Sequence, residues 1–66
     1  MRGLRQWIND TVIVSTSSFD VKGRLSDVRG GVVVLKDSVA LNGNVDTPVD
    51  GVLVIPEGRV RYVQVP

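Results

Sequence analysis

The chain has 66 residues, 42% of them hydrophobic, with eight Lys+Arg against seven Asp+Glu for a formal net charge of +1, and it contains neither Cys nor His. Thiol nucleophiles, imidazole bases, Ser-His-Asp arrangements, disulfides and the commonest zinc sites are therefore out of reach within one chain. So short a chain buries only about 60% of the surface its unfolded form exposes; with disulfides and zinc removed, association with further subunits is the expected supplement.

In chain order, Leu4, Trp7 and Ile8 come first, at i, i+3 and i+4. That spacing predicts one apolar stripe on a short α-helix over about residues 2–9, with Arg2, Arg5 and Gln6 elsewhere on its surface. A helix this short is marginal alone and must lie on something apolar. Beyond it the chain is strand-like, because fifteen Val, three Ile and three Thr favour a pleated, half-buried surface. Residues Thr11 to Thr16 predict a first strand ended by Ser17-Ser18.

The next run alternates. Phe19, Val21, Gly23 and Leu25 take the core parity, and Asp20, Lys22, Arg24 and Ser26 the solvent parity. Val28 then falls on the polar parity, which predicts a bulge or sharp bend near Ser26-Asp27. Gly23 inside the run lets the strand curve closely over a neighbour, as a small barrel requires. Gly30-Gly31 suits a type I′ hairpin turn, whose central residues both need positive φ. A third strand runs from Val32 to Val39, Asn42-Gly43-Asn44 is a turn, and Val45 to Pro48 reads as a loop. Asp50-Gly51 is expected as a bulge opening a fourth strand, Val52 to Ile55; Pro56-Glu57-Gly58 reverses the chain, and Arg59 to Val65 closes it. The reading is an all-β fold, a five-stranded barrel preceded by a short N-terminal helix, spanning residues 1–66 as one domain with the barrel over about 11–65.

Val12-Ile13-Val14, Val32 to Leu35 and Val52 to Ile55 are apolar on both parities, so both faces of these strands seek cover. Each Val left in water forfeits about 1.5 kcal/mol or more. Pairing between the terminal strand edges of successive copies closes a ring and answers both needs. Val52, Val54, Val60 and Tyr62 are the candidate interface residues.

Taken together, the helix, the bent Val21-Lys22-Gly23-Arg24-Leu25 strand, the hairpin into Val34-Leu35-Lys36-Asp37, and the closing Val52-Leu53-Val54-Ile55 and Val60-Arg61-Tyr62-Val63 strands resemble the Sm-like (LSm, Hfq) family over about 55 residues. The resemblance implies a small SH3-like barrel, a cyclic homo-oligomer of about five to seven subunits and single-stranded RNA as a partner. The sequence reads as a short, divergent member, of the kind a phage or accessory locus encodes. In the family, RNA is held by an Asp and an Asn in the second hairpin and an Arg-Gly pair after the fourth strand. Here those places hold Arg29-Gly30-Gly31-Val32 and Pro56-Glu57.

The candidate nucleic-acid-binding residues are accordingly Arg29, Gly30, Arg59, Arg61, Arg2, Arg5 and Gln6. Trp7, Phe19 and Tyr62 are the only aromatic side chains and are expected to serve packing. No paired carboxylates, Walker pattern or G-x-G-x-x-G occurs, so neither an enzyme nor a cofactor is expected. An adapter ring that binds a protein partner and no nucleic acid is the alternative reading. The short apolar runs and the Arg-bearing N-terminus predict a cytoplasmic protein with no membrane association.

Overall fold

Which strands form, and where they bend, follows from the β-branched runs and the glycines between them. The computed structural model describes residues 3–66 and contains six strands: β1 (Thr11–Thr16), β2 (Asp20–Arg29), β3 (Val32–Asn42), β4 (Val45–Val49), β5 (Leu53–Pro56) and β6 (Val60–Gln64). All pairings are antiparallel, in the order β4-β3-β2-β1-β6, with β5 also on β3. Gly30 and Gly31 join β2 to β3 with φ of 58° and 75°, the left-handed geometry their lack of Cβ permits.

The sequence expectation of five strands is corrected by β4. Residues 45–48, read as a loop, form a strand along an extension of β3 that runs past Val39 to Asn42. Pro48 is tolerated there because β4 has a strand neighbour on one side only. The counts along β3 nonetheless restore a five-part plan. Ser38 faces Val49 and Leu35 faces Leu53, so two residues of β3 oppose three, Asp50, Gly51 and Val52, on the other side. β4 and β5 are thus two halves of one edge run, separated by a one-residue bulge with Gly51 at φ 78°. The fourth strand proper begins at Leu53, not Val52, and the last at Val60, not Arg59.

The N-terminal α-helix is also corrected. Residues 4–7 form a single 3-10 turn (Leu4–Trp7). The reason lies just beyond it: Asn9, at φ 78°, donates its N–H to the Leu25 carbonyl, and the Leu25 N–H donates to the Asp10 carbonyl. Residues 9 and 10 are drawn into the sheet, leaving too few for a second helical turn. The stripe survives in part, with Leu4 buried and Ile8 half-buried against the core, while Trp7 is exposed. Arg2, placed on that helix by the sequence, lies outside the described residues.

The core is formed by Leu4, Val12, Val14, Val21, Leu25, Val28, Val33, Leu35 and Ile55. It needs a sheet that folds over itself, and two irregularities supply the bend. Leu25 faces Leu35 but Asp27 faces Val34, which puts an extra residue, Ser26, in β2 and returns Val28 to the core. Lys22 faces Val39 but Arg24 faces Lys36, so Gly23 opposes both Asp37 and Ser38. Asp37 accommodates this with φ 51°. At Gly23 the strands come so close that a Cβ would stand 2.7 Å from Ser38 Oγ and 3.2 Å from the Lys36 carbonyl oxygen. Phe19 departs from the core parity assigned to it and is 41% exposed, because β2 starts at Asp20 and leaves it in the preceding turn.

Candidate nucleic-acid interface and subunit edges

One end of the sheet gathers the candidate loops. The Gly30-Gly31 turn and the 3-10 turn Glu57–Arg59 are twenty-seven residues apart in sequence, yet Val32 pairs with Pro56 and the Glu57 N–H donates to the Gly31 carbonyl at 2.8 Å. Arg29, Gly30 and Arg59 therefore stand at the same rim, all exposed. Arg5 reaches this region from the N-terminal turn: its Nη1 donates to the Val28 carbonyl and to Asp27 Oδ1, the latter at 3.2 Å. Asp27 Oδ2 lies 3.3 Å from Arg29 Nε. One carboxylate thus joins two of the candidate arginines.

The remaining candidates fall elsewhere. Gln6 donates its side-chain N–H to the Gly3 carbonyl at 2.8 Å, closing the N-terminal turn on itself. Arg59 and Arg61 do not share a strand face, since Arg59 belongs to the 3-10 turn and Arg61 is the extra residue where β6 shifts register between Tyr62 and Val60 against Ser15 and Thr16. Arg24 is engaged by Asp37 at 3.1 Å on the outer face of the sheet. Asp27 was missed as a site residue. Its i, i+2 relation to Arg29 on one strand was the available signal; its link to Arg5, twenty-two residues away, had none.

The four candidate interface residues divide. Val52 and Val54 are each 53% exposed and Tyr62 is 52% exposed, whereas Val60 packs partly against the core. These residues lie on or beside β5, which lies off the main sheet path and pairs with β3, and β6, which ends that path, and no ladder joins β5 to β6 among the described residues. Two strand edges with unpaired backbone groups and apolar side chains are thereby left open. Between them runs a shallow groove lined by Thr16, Phe19, Leu53, Val54, Pro56 and Arg59.

Thr16 shapes that groove. Its hydroxyl donates to the Phe19 carbonyl at 2.8 Å and accepts from the N–H groups of Ser18 and Phe19, while the Thr16 N–H also donates to the Phe19 carbonyl. Thr16→Val keeps the shape and the backbone bond but removes the three hydroxyl bonds and leaves turn N–H groups unsatisfied, so it should lower stability by about 1–3 kcal/mol, measured by denaturant unfolding. Thr16→Ser, which keeps the hydroxyl, should retain most of the wild-type stability.

Comparison with known proteins gives the fold class. No family model and no curated protein matches the sequence. Among solved structures, a heptameric archaeal Sm protein superposes with a TM-score of 0.86 at 17% identity, covering 96% of this chain and 94% of its own. The Pyrococcus abyssii Sm protein, solved in complex with a uridine heptamer, gives 0.82 at 23% identity over 97% of both chains. A chain of the NatC complex, solved bound to CoA, gives 0.84 at 20% identity, covering 100% of this chain and 87% of that one. The protein has an Sm-like fold. No described helix is long and apolar enough to cross a membrane.

Proposed function

We propose that the protein is a ring-forming Sm-like module that binds single-stranded RNA at the rim carrying Arg29, Gly30 and Arg59. The observation that carries the ring is the pair of open edges: β5 with Val52 and Val54 beside it, and β6 with Tyr62, each half in water on one chain. Edge-to-edge pairing of β5 with the β6 of the next copy satisfies backbone groups and apolar surface together, and because the two edges are different surfaces the contact is head-to-tail, the kind that makes a ring where the rotation between copies closes. Sm proteins of this fold include one solved as a heptamer and one with bound uridines, and five to seven copies are expected here. Glu57 stands beside these basic residues, and no aromatic side chain lies in either rim turn, so binding rests on charge more than on stacking and is modest and salt-sensitive.

Native mass spectrometry of the protein as purified tests assembly and retained oligonucleotide together. In polarisation assays with oligouridylate, Arg29→Ala should weaken binding and make the dependence of log affinity on log salt shallower, by about 0.7 for each phosphate the variant no longer neutralises. Absence of wild-type binding at low salt disposes of the RNA reading and leaves the ring as an adapter for a protein partner. The lack of aromatic side chains in the rim turns is the feature that favours this second reading.

A further inference from the structure

The geometry points to Asp27 as a positioning residue that holds Arg5 and Arg29 as a two-pronged clamp for an RNA phosphate, an inference that rests on the RNA-binding reading above. Asp27 is fixed by its own backbone: Oδ1 accepts the N–H of Val28 at 2.8 Å as well as Arg5 Nη1 at 3.2 Å. Oδ2 takes Arg29 Nε at 3.3 Å. Both guanidinium groups therefore meet one carboxylate, Arg5 through a hydrogen bond and Arg29 through an ion pair, and Arg5 is anchored a second time on the Val28 carbonyl.

Stability does not account for this arrangement. The Arg5 and Arg29 side chains are 62% and 80% exposed, and ion pairs so open to solvent contribute little to folding. What the carboxylate does is orientation. Arg29 is held through Nε, which leaves both terminal nitrogens free. Arg5 is held through Nη1 alone. The free N–H groups form the planar fork that fits two phosphate oxygens. The three groups sum to one positive charge, so the cluster still attracts an anion. Two long side chains that are already ordered lose less freedom when RNA binds than two that swing in water.

The inference makes a prediction opposite in sign to simple charge counting. Asp27→Asn removes a negative charge beside the RNA, which by electrostatics alone strengthens binding. If Asp27 acts by positioning, oligouridylate should instead bind about fivefold or more weakly, the effect of ordering two free arginines. Salt dependence should match the wild type, because the same two arginines still neutralise the phosphate, whereas Arg29→Ala should show the shallower slope. An unchanged melting temperature and assembly mass for Asp27→Asn separate positioning from misfolding. Should its fold be impaired, NMR relaxation of the Arg29 side-chain Nε in the wild type serves instead: a guanidinium more ordered than that of Arg61 supports the clamp, and one that moves as freely overturns it. Equal or tighter binding by folded Asp27→Asn, with Arg29→Ala still weakened, overturns the clamp and leaves RNA binding intact. Failure of the wild type to bind at all overturns both.

Discussion

Val54→Asp is expected to turn the proposed ring into single folded chains. Val54 is on β5 with half its surface in water, so within one chain the new carboxylate is hydrated and the core residues Val33, Leu35 and Ile55 are untouched. At a seam between β5 and a neighbour's β6, the same carboxylate is buried without a partner, at a cost of about 3–5 kcal/mol per seam. That exceeds what a seam of a few residues can absorb, and it recurs at every junction of a symmetric ring. Native mass spectrometry should show the wild type as a closed oligomer and Val54→Asp as a monomer with a lower melting temperature that no longer depends on protein concentration. Val45→Asp is the control. Val45 is more open to solvent than Val54 and lies at the far end of the β4–β5 run, about 30 Å of extended chain from it, whereas five-residue β6 spans only about 17 Å. It should leave assembly unchanged; an intact ring with Val54→Asp removes the proposed seam.

The second large effect lies inside the barrel. Gly23→Ala places a methyl group 2.7 Å from Ser38 Oγ, 3.2 Å from the Lys36 carbonyl and 3.3 Å from Ser38 Cα. The hydroxyl cannot swing away freely, since Ser38 is only 2% exposed and its Oγ finds no hydrogen-bond partner among the described residues. Overpacking at such a site costs about 1–3 kcal/mol, a large share of a small domain's stability. Ser38→Ala alone should be neutral or stabilising, because it deletes an unsatisfied buried polar atom. Combined with Gly23→Ala it should recover part of the loss but not all, because the two backbone clashes remain. Denaturant unfolding of the four proteins in this cycle measures the coupling; strict additivity would mean that the methyl group is accommodated by strand separation and not limited by Ser38.

What the sequence revealed, and what it concealed, follows from how far each signal reaches along the chain. The bulge at Ser26 was legible because one slipped residue reverses every later side chain, and Val28 appeared on the wrong parity. The Gly30-Gly31 turn was legible because two adjacent positive φ angles have few other sequence solutions. β4 was not, since Asp46, Thr47 and Pro48 carry no apolar alternation; that strand exists because β3 is long enough to template it. The 3-10 turn looked like a helix because the stripe Leu4-Trp7-Ile8 says nothing about Asn9 being claimed by Leu25. Of the rim, Arg29 and Gly30 were nameable from the hairpin alone. Their nearness to Glu57 and Arg59, and the tie of Arg5 to Asp27, depend on tertiary closure that no local pattern encodes. Phe19 shows the same limit from the other side, its alternation continuing one residue past the point where the strand begins.

The bulge that divides β4 from β5 also separates two mechanical roles. Below it, β5 supplies the proposed seam; above it, the hairpin of Asn42, Gly43, Asn44 and Val45 projects with every residue in solvent. Such a tip accepts inserted chain with little penalty. In the proposed ring, a peptide grafted between Gly43 and Asn44 would be displayed once per subunit around the circumference, so that symmetry would set the valency and the cargo would leave the seams alone.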